Sequence, residues 1–301
     1  MKNKPRISPY ILLTLAALFW SGNMVVGRAL RDSPPAALTF WRWCIAVGIV
    51  LPFAVSALRK QWPLILRSWK ILLLLGGLGV GSFGLVTYIG LRSTTATNAS
   101  LLNSIIPVAI LALSWIFLRQ PLSRRQVAGV TVSLAGVLVI VTRGDADVLL
   151  ALRLNPGDIW ILVAVVSWAI YTLCLRWRPV ELNPQAFLVV TVSIGLLGIG
   201  PIYIWEHFAW QRLELSLGVA TGILYVAVFP SLLAYPFYNR GVVEVGPERA
   251  GLFLHLMPVF GTLLSVIFLG ESLHLYHAAG MLMIFCGIYL STARRIAFRQ
   301  S

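Results

Sequence analysis

Charge is what this sequence lacks most. Only 11% of its 301 residues are Asp, Glu, Lys or Arg, against about 25% in a soluble domain. Such a chain cannot cover a water-facing surface. With 58% hydrophobic residues and a mean hydropathy of +0.85, it reads as an integral membrane protein. Acidic residues are scarcest, ten against 24 basic ones. The first apolar stretch has no carboxylate, which argues against exchange of cationic drugs for protons through a membrane-embedded acid. The three cysteines (Cys44, Cys174, Cys286) show no paired or metal-type spacing and read as small core residues. There is no Walker lysine loop, His-Glu-x-x-His motif or Cys/His cluster, so neither ATP-driven transport nor a metal centre is expected. No catalytic group and no cofactor is read from the sequence. The formal charge of +14 would suggest nucleic acid as partner of a soluble protein. Here the basic residues sit in short loops, and the positive-inside rule accounts for them without nucleic acid.

What is present is long apolar runs. A spanning helix needs about 20 mostly apolar residues. Ten stretches qualify: 9–30, 36–58, 69–91, 96–118, 124–142, 157–176, 184–205, 215–239, 247–269 and 274–293. The first is too long for a signal-peptide core and has a counterpart later in the chain, so it is read as a retained span. An even number of spans puts both termini on one side. That side holds 17 of the 24 basic residues, among them Lys2, Lys4, Arg6, Arg59, Lys60, Arg67, Lys70, Arg124, Arg125, Arg294, Arg295 and Arg299, and is therefore cytoplasmic. Trp62, Ile65, Leu66 and Trp69 share one helical face, suited to the inner headgroup layer. Trp205, Phe208 and Trp210 suit the outer aromatic belt.

The chain repeats itself. At an offset of 151, Pro258 falls on Pro107, Ser265 on Ser114, Ile267-Phe268-Leu269 on Ile116-Phe117-Leu118, Ala279-Gly280 on Ala128-Gly129, and Gly287 on Gly136. Residues 95–140 and 246–291 share 13 identities in 46 positions. Trp20 answers Trp168 at an offset of 148, and Ser33-Pro34 answers Asn183-Pro184 at 150. The reading is a five-helix unit over 1–142, a polar linker over 143–156 and a second unit over 157–301. Five is odd, so the second unit enters the membrane inverted. The expected fold is all-α, ten transmembrane helices in two inverted repeats around a central cavity.

The run Pro258-x6-Ser265-x-Ile267-Phe268-Leu269-Gly270-Glu271-x-Leu273, followed by Ala279-Gly280-x6-Gly287, resembles the EamA-type ten-helix members of the drug/metabolite transporter superfamily. Gly157-Asp158 followed by Trp168-Ala169-Ile170-Tyr171 resembles the start of that family's second domain, and Arg42 matches a family position. The resemblance covers nearly the whole chain. It is nearest to bacterial exporters of amino acids, aromatic ones included. It implies an inner-membrane, multi-pass transporter of small molecules and no enzyme. The first copy departs from the motif, with Arg119-Gln120 where the second has Gly270-Glu271.

Several residues in the spans are candidates to line the cavity. An ionisable residue within a span commonly faces the bundle interior or a wet path. His255, whose repeat mate is Ser104, would bind a carboxylate or take up a coupling proton. The alternative is a neutral histidine bonded between helices. Pro107 and Pro258 each remove a helix hydrogen bond, as hinges, as breaks that expose carbonyls to substrate, or as static kinks. Trp20 and Asn23 lie one turn apart, as do Trp168 and Tyr171, and either line the cavity or pack between helices. Ser231, Tyr235 and Tyr238 follow one face of the eighth stretch, opposite Gly84 and Thr87 in the repeat. The third stretch is thin, with Gly76, Gly77, Gly79, Gly81 and Gly84. Its glycine-rich face suits internal packing or dimerisation alike. Tyr88 and Asn239 are an aligned pair, and Asn103 is buried among apolar neighbours and needs partners. Glu248 and Arg249 read as a solvated helix start. The cavity is expected to take a neutral or zwitterionic solute. The function expected is export of small metabolites, foremost aromatic or hydrophobic amino acids, by alternating access. It would run on a proton gradient or on the solute's own. The alternatives are other neutral metabolites or drugs, or a nucleotide-sugar or phosphometabolite exchanger, which needs cations in the cavity.

Overall fold

Proline and small polar caps mark where the helices begin. Pro9, Pro35, Pro156, Pro184 and Pro247 occupy the first helical turn, where their missing N–H costs nothing. Thr95, Ser123, Asn155, Asn183 and Ser216 cap with their side chains. The computed structural model describes residues 7–145, 147–150, 155–269 and 272–292. The Gly270-Glu271 part of the motif, Arg153 and the terminal Lys and Arg residues lie outside the described residues.

The segments are α1 (Pro9–Ala29), α2 (Pro35–Lys60), α3 (Trp69–Ser93), α4 in two halves (Ala96–Asn103 and Ile106–Leu118), α5 (Arg124–Val141), α6 (Pro156–Cys174), α7 (Pro184–Trp205), α8 (Leu217–Val245), α9 in two halves (Pro247–Leu252 and Leu256–Leu269) and α10 (Leu275–Thr292). Among the described residues there is no strand, and nine helices are long and apolar enough to cross a membrane. The stretch 247–269 is divided by a 3₁₀ turn at Phe253–His255. Phe117, Leu197, Phe208 and Tyr289 are each more than 70% exposed, an outer surface suited to lipid and not to water. A short helix, Trp62–Arg67, buries Ile65 and leaves Trp62 and Leu66 exposed.

Two features repeat at the sequence offset. α3 widens into a π-helix over Gly76–Ser82, and α8 does so over Ala227–Ala234. The packing is reciprocal too: α1 lies against α8 and α9, α6 against α3 and α4, and α2 against α7. The two halves are therefore interleaved, each first helix packing on the other half. Between α5 and α10, a Cβ on Gly129 would meet the Gly287 carbonyl at 2.6 Å, and one on Gly136 would meet the Gly280 carbonyl at 2.6 Å. Each contact is the repeat image of the other. Backbone stands against backbone there, so Gly287→Val is expected to cost about 1–3 kcal/mol by overpacking. Gly48→Ala, open on every side within 4 Å, is expected to stabilise by about 0.5–1 kcal/mol. Denaturant unfolding in bicelles checks both.

Two expectations are corrected and a third is narrowed. Of the readings of Pro107 and Pro258, the static kink in a continuous helix does not hold. Both prolines stand in the first turn of the second halves of α4 and α9, where the chain has already broken. Cys286 is exposed rather than in the core. Glu248 is buried and accepts a hydrogen bond from the Ser114 hydroxyl, so it is no solvated helix start. Gly246 turns the chain between α8 and α9 at φ 90°, a conformation that glycine adopts without strain.

Two further buried carboxylates act as caps. Glu206, in a π-turn after α7, accepts from the backbone N–H groups of Ala36 (3.1 Å) and Ala37 (2.8 Å) at the start of α2. Asp158 shares a capping box with Asn155 and also accepts from Thr94 and from Asn98 Nδ2 (3.0 Å). Each ties one half of the chain to the other by saturating helix-end donors.

Candidate functional site

The helix breaks and aromatic residues of α1, α6 and α8 border one cavity of about 580 Å³. That volume is in the range of small-molecule sites, roughly 300–1,000 Å³. Its lining includes Trp20, Asn23, Tyr88, Asn103, Trp168, Tyr235 and His255, together with Pro258. Tyr171 and Tyr238 stand behind the wall, and Pro107 is buried away from it.

The floor is aromatic. Trp20 meets Trp168 edge-on at 5.1 Å between ring centroids, Tyr235 at 5.9 Å and Tyr238 at 5.1 Å. Trp20 Nε1 donates to the Pro230 carbonyl at 3.0 Å, in the π-segment of α8. Tyr235 donates its hydroxyl to the Gly79 carbonyl, in the π-segment of α3. Below this layer Thr172 and Tyr238 share a hydrogen bond of 3.0 Å, and Tyr10 stacks on Phe253 at 5.7 Å. Arg28, half-buried, lines the other end of the cavity. It is eight residues beyond Trp20 on α1, or about 12 Å at 1.5 Å per residue.

His255 fills the break in α9 and faces the break in α4. Its Nε2 lies 2.9 Å from the carbonyl oxygen of Ser104, its own repeat mate. A carbonyl only accepts, so Nε2 carries the proton, and Nδ1 is left to accept from the Ser133 hydroxyl of α5. The neutral ring therefore completes both bonds. Residues related by the sequence repeat touch here.

A second pair of repeat mates forms matched hydrogen bonds. Tyr88 donates to Asn23 Oδ1 at 3.0 Å, and Tyr171 donates to Asn239 Oδ1 at 2.7 Å. The first pair lines the cavity; the second is buried at the closed end.

The cavity carries a buried cation. Arg42 lines it and is only 4% exposed. Its Nε donates to Ser231 Oγ at 3.0 Å and its Nη1 to the Tyr88 hydroxyl at 3.1 Å. The guanidinium carbon lies 4.9 Å from the Trp43 ring centroid. The ion pairs among the described residues are Arg31–Asp32 and Arg240–Glu244, neither of which touches it. The sequence carried the signal, an arginine in the apolar run Phe40-Trp41-Arg42-Trp43. Asn103, at the break in α4, has both amide atoms buried without a partner. Among the described residues no three His, Cys, Asp or Glu side chains group to hold a metal.

The sequence matches the EamA-like transporter family over residues 7–142 and 155–293. An uncharacterized transporter of Bacillus subtilis, YyaM, is 24% identical over 280 residues, covering 93% of this chain and 92% of its own. One of Archaeoglobus fulgidus is 24% identical over 289 residues, covering 95% and 98%. A solved crystal structure superposes with a TM-score of 0.76 at 18% identity over 94% of this chain and 96% of that one, a likeness of fold.

Proposed function

Because this chain belongs to the EamA-like transporter family, we propose that it exports small metabolites, foremost aromatic or hydrophobic amino acids, by alternating access between two inverted five-helix units. The observation that carries this reading is the cavity bordered by both helix breaks and stopped at one end by the Trp20–Trp168–Tyr235 floor. Broken helices at a repeat interface are where transporters commonly place a substrate. The reciprocal packing and the His255–Ser104 contact support the inverted arrangement. With the termini cytoplasmic, as the Lys and Arg distribution argues, the cavity opens outward, and the Tyr171–Asn239 and Thr172–Tyr238 pairs close the inner side. Pro107 and Pro258 begin the second half-helices and free each break to move. The lining favours a flat, apolar side chain against the indole and phenol faces.

The test is release from proteoliposomes preloaded with labelled amino acids. Phenylalanine, tyrosine, tryptophan and leucine are expected to leave several-fold faster than from protein-free vesicles. Protein-free rates for every amino acid would sink the amino acid reading. Arg42 and Arg28 in the lining favour a second reading, a phosphometabolite exchanger, so a labelled sugar phosphate belongs in the panel.

A further inference from the structure

Arg42 is a buried cation whose hydrogen bonds all go to neutral oxygens. It lies seven residues into α2, about 10 Å along its axis. The two hydroxyls that receive its protons have committed their own elsewhere. Ser231 Oγ donates to the Val226 carbonyl at 2.8 Å, five residues back, which is the spacing of the π-segment. Tyr88 donates to Asn23. The guanidinium is thus held from two sides by acceptors, and the π-turn of α8 is what brings Ser231 to it. A guanidinium has five N–H groups, and among the described residues Nε and Nη1 are the atoms that donate. These two bonds leave N–H groups of the guanidinium for a ligand in the cavity that Arg42 lines.

Among the described residues no carboxylate pairs with this charge. The other ionisable groups in the lining are Arg28, Tyr88, Tyr235 and His255, with no carboxylate among them. The buried carboxylates are committed elsewhere: Asp158 to Thr94 and Asn98, Glu206 to the start of α2, Glu248 to Ser114. Ile106 and Met257, at the starts of the second halves of α4 and α9, also border the cavity, and helix N-termini add positive potential. A desolvated, uncompensated cation is costly, and an anion beside it removes the cost.

We propose that Arg42 is the recognition group of the cavity and that it selects ligands bearing a single carboxylate on an aromatic or apolar body. Net anions are therefore preferred to zwitterions, because the lining offers a carboxylate the guanidinium and offers an ammonium no carboxylate among the described residues. This rests on the cavity being the transport site. It narrows the amino acid reading to the carboxylate end of the substrate, and it makes 2-oxo acids and N-acylated amino acids better ligands than the free amino acids. A carboxylate fits better than a phosphate, since a single deeply buried guanidinium offers one planar fork to one planar anion.

The test is binding to the purified full chain, read by intrinsic tryptophan fluorescence and by thermal shift. The probes are benzoate, benzylamine, benzyl alcohol and phenyl phosphate. Benzoate is expected to bind at least about tenfold tighter than benzyl alcohol or benzylamine. Arg42→Gln is expected to erase that margin and leave benzyl alcohol binding in place. Arg42→Lys is expected to keep the preference for benzoate at lower affinity, since the charge stays and the planar fork is lost. The four-probe ranking on the unaltered chain needs no variant, so poor folding of Arg42→Gln does not blunt it. Benzylamine binding as tightly as benzoate would overturn the proposal, as would an unchanged margin in Arg42→Gln. Tighter binding of phenyl phosphate would overturn its carboxylate part. Loss of charge selectivity with amino acid export intact would sink the Arg42 assignment alone. Benzoate selectivity without amino acid export would sink the amino acid reading instead.

Discussion

Asp158→Ala is expected to cost roughly 3–5 kcal/mol of stability, the sum of several buried donors left without an acceptor. Asp158 is 1% exposed and sits where α3, α4 and α6 meet. It accepts from Thr94, from Asn98 Nδ2 and from the backbone N–H of Asn155 at 2.9 Å. Asp158→Asn keeps the shape and part of the accepting capacity, and is expected to lose about half as much. Denaturant unfolding in bicelles decides this; a loss below about 1 kcal/mol for Asp158→Ala would show that the corner closes without the carboxylate.

His255→Ala removes the ring that joins the break in α4 to α5. The Ser104 carbonyl and the Ser133 hydroxyl lose a partner, and a void opens beside the cavity. The expected cost is about 2–5 kcal/mol. Export per unit of incorporated protein is expected to fall further than the yield of folded protein, because both breaks lose their shared brace. His255→Gln should recover part of the flux through one restored bond. Equal export per protein in His255→Ala and the parent would reduce the residue to packing. Because the neutral ring satisfies both bonds, an imposed pH gradient between about pH 6 and pH 8 is expected to leave the rate of release unchanged. Gradient-driven accumulation would restore a coupling proton to the mechanism.

Much of the architecture was legible in the sequence, because twenty-residue apolar runs and a 151-residue echo survive averaging. The details that shape the site do not. A π-turn has no periodicity of its own, so the widening of α3 and α8 is invisible until Ser231 and Tyr235 are seen reaching Arg42 and Gly79. The prolines announced disturbed helices, yet hydropathy could not tell a kink from a break just before them. Glu248 misled, and Arg42 was easy to underweight. A carboxylate two residues from a helix start looks like a solvated end, and one arginine in a run of aromatics is diluted in any window average. Alignment of the repeat paired Tyr88 with Asn239 and Asn23 with Tyr171, but gave no hint that each would bond within its own half.

Those two bonds have a further consequence for how such a chain can change over generations. In one half the asparagine is on the first helix and the tyrosine on the third; in the other the order is exchanged. A freshly doubled gene would carry the same order twice. Reaching the present arrangement takes two substitutions in one half, and the intermediate is a Tyr–Tyr or an Asn–Asn pair. Both intermediates keep a donor facing an acceptor. The exchange could thus proceed one residue at a time without ever burying an orphaned polar group, leaving the two faces of the transporter free to acquire different shapes.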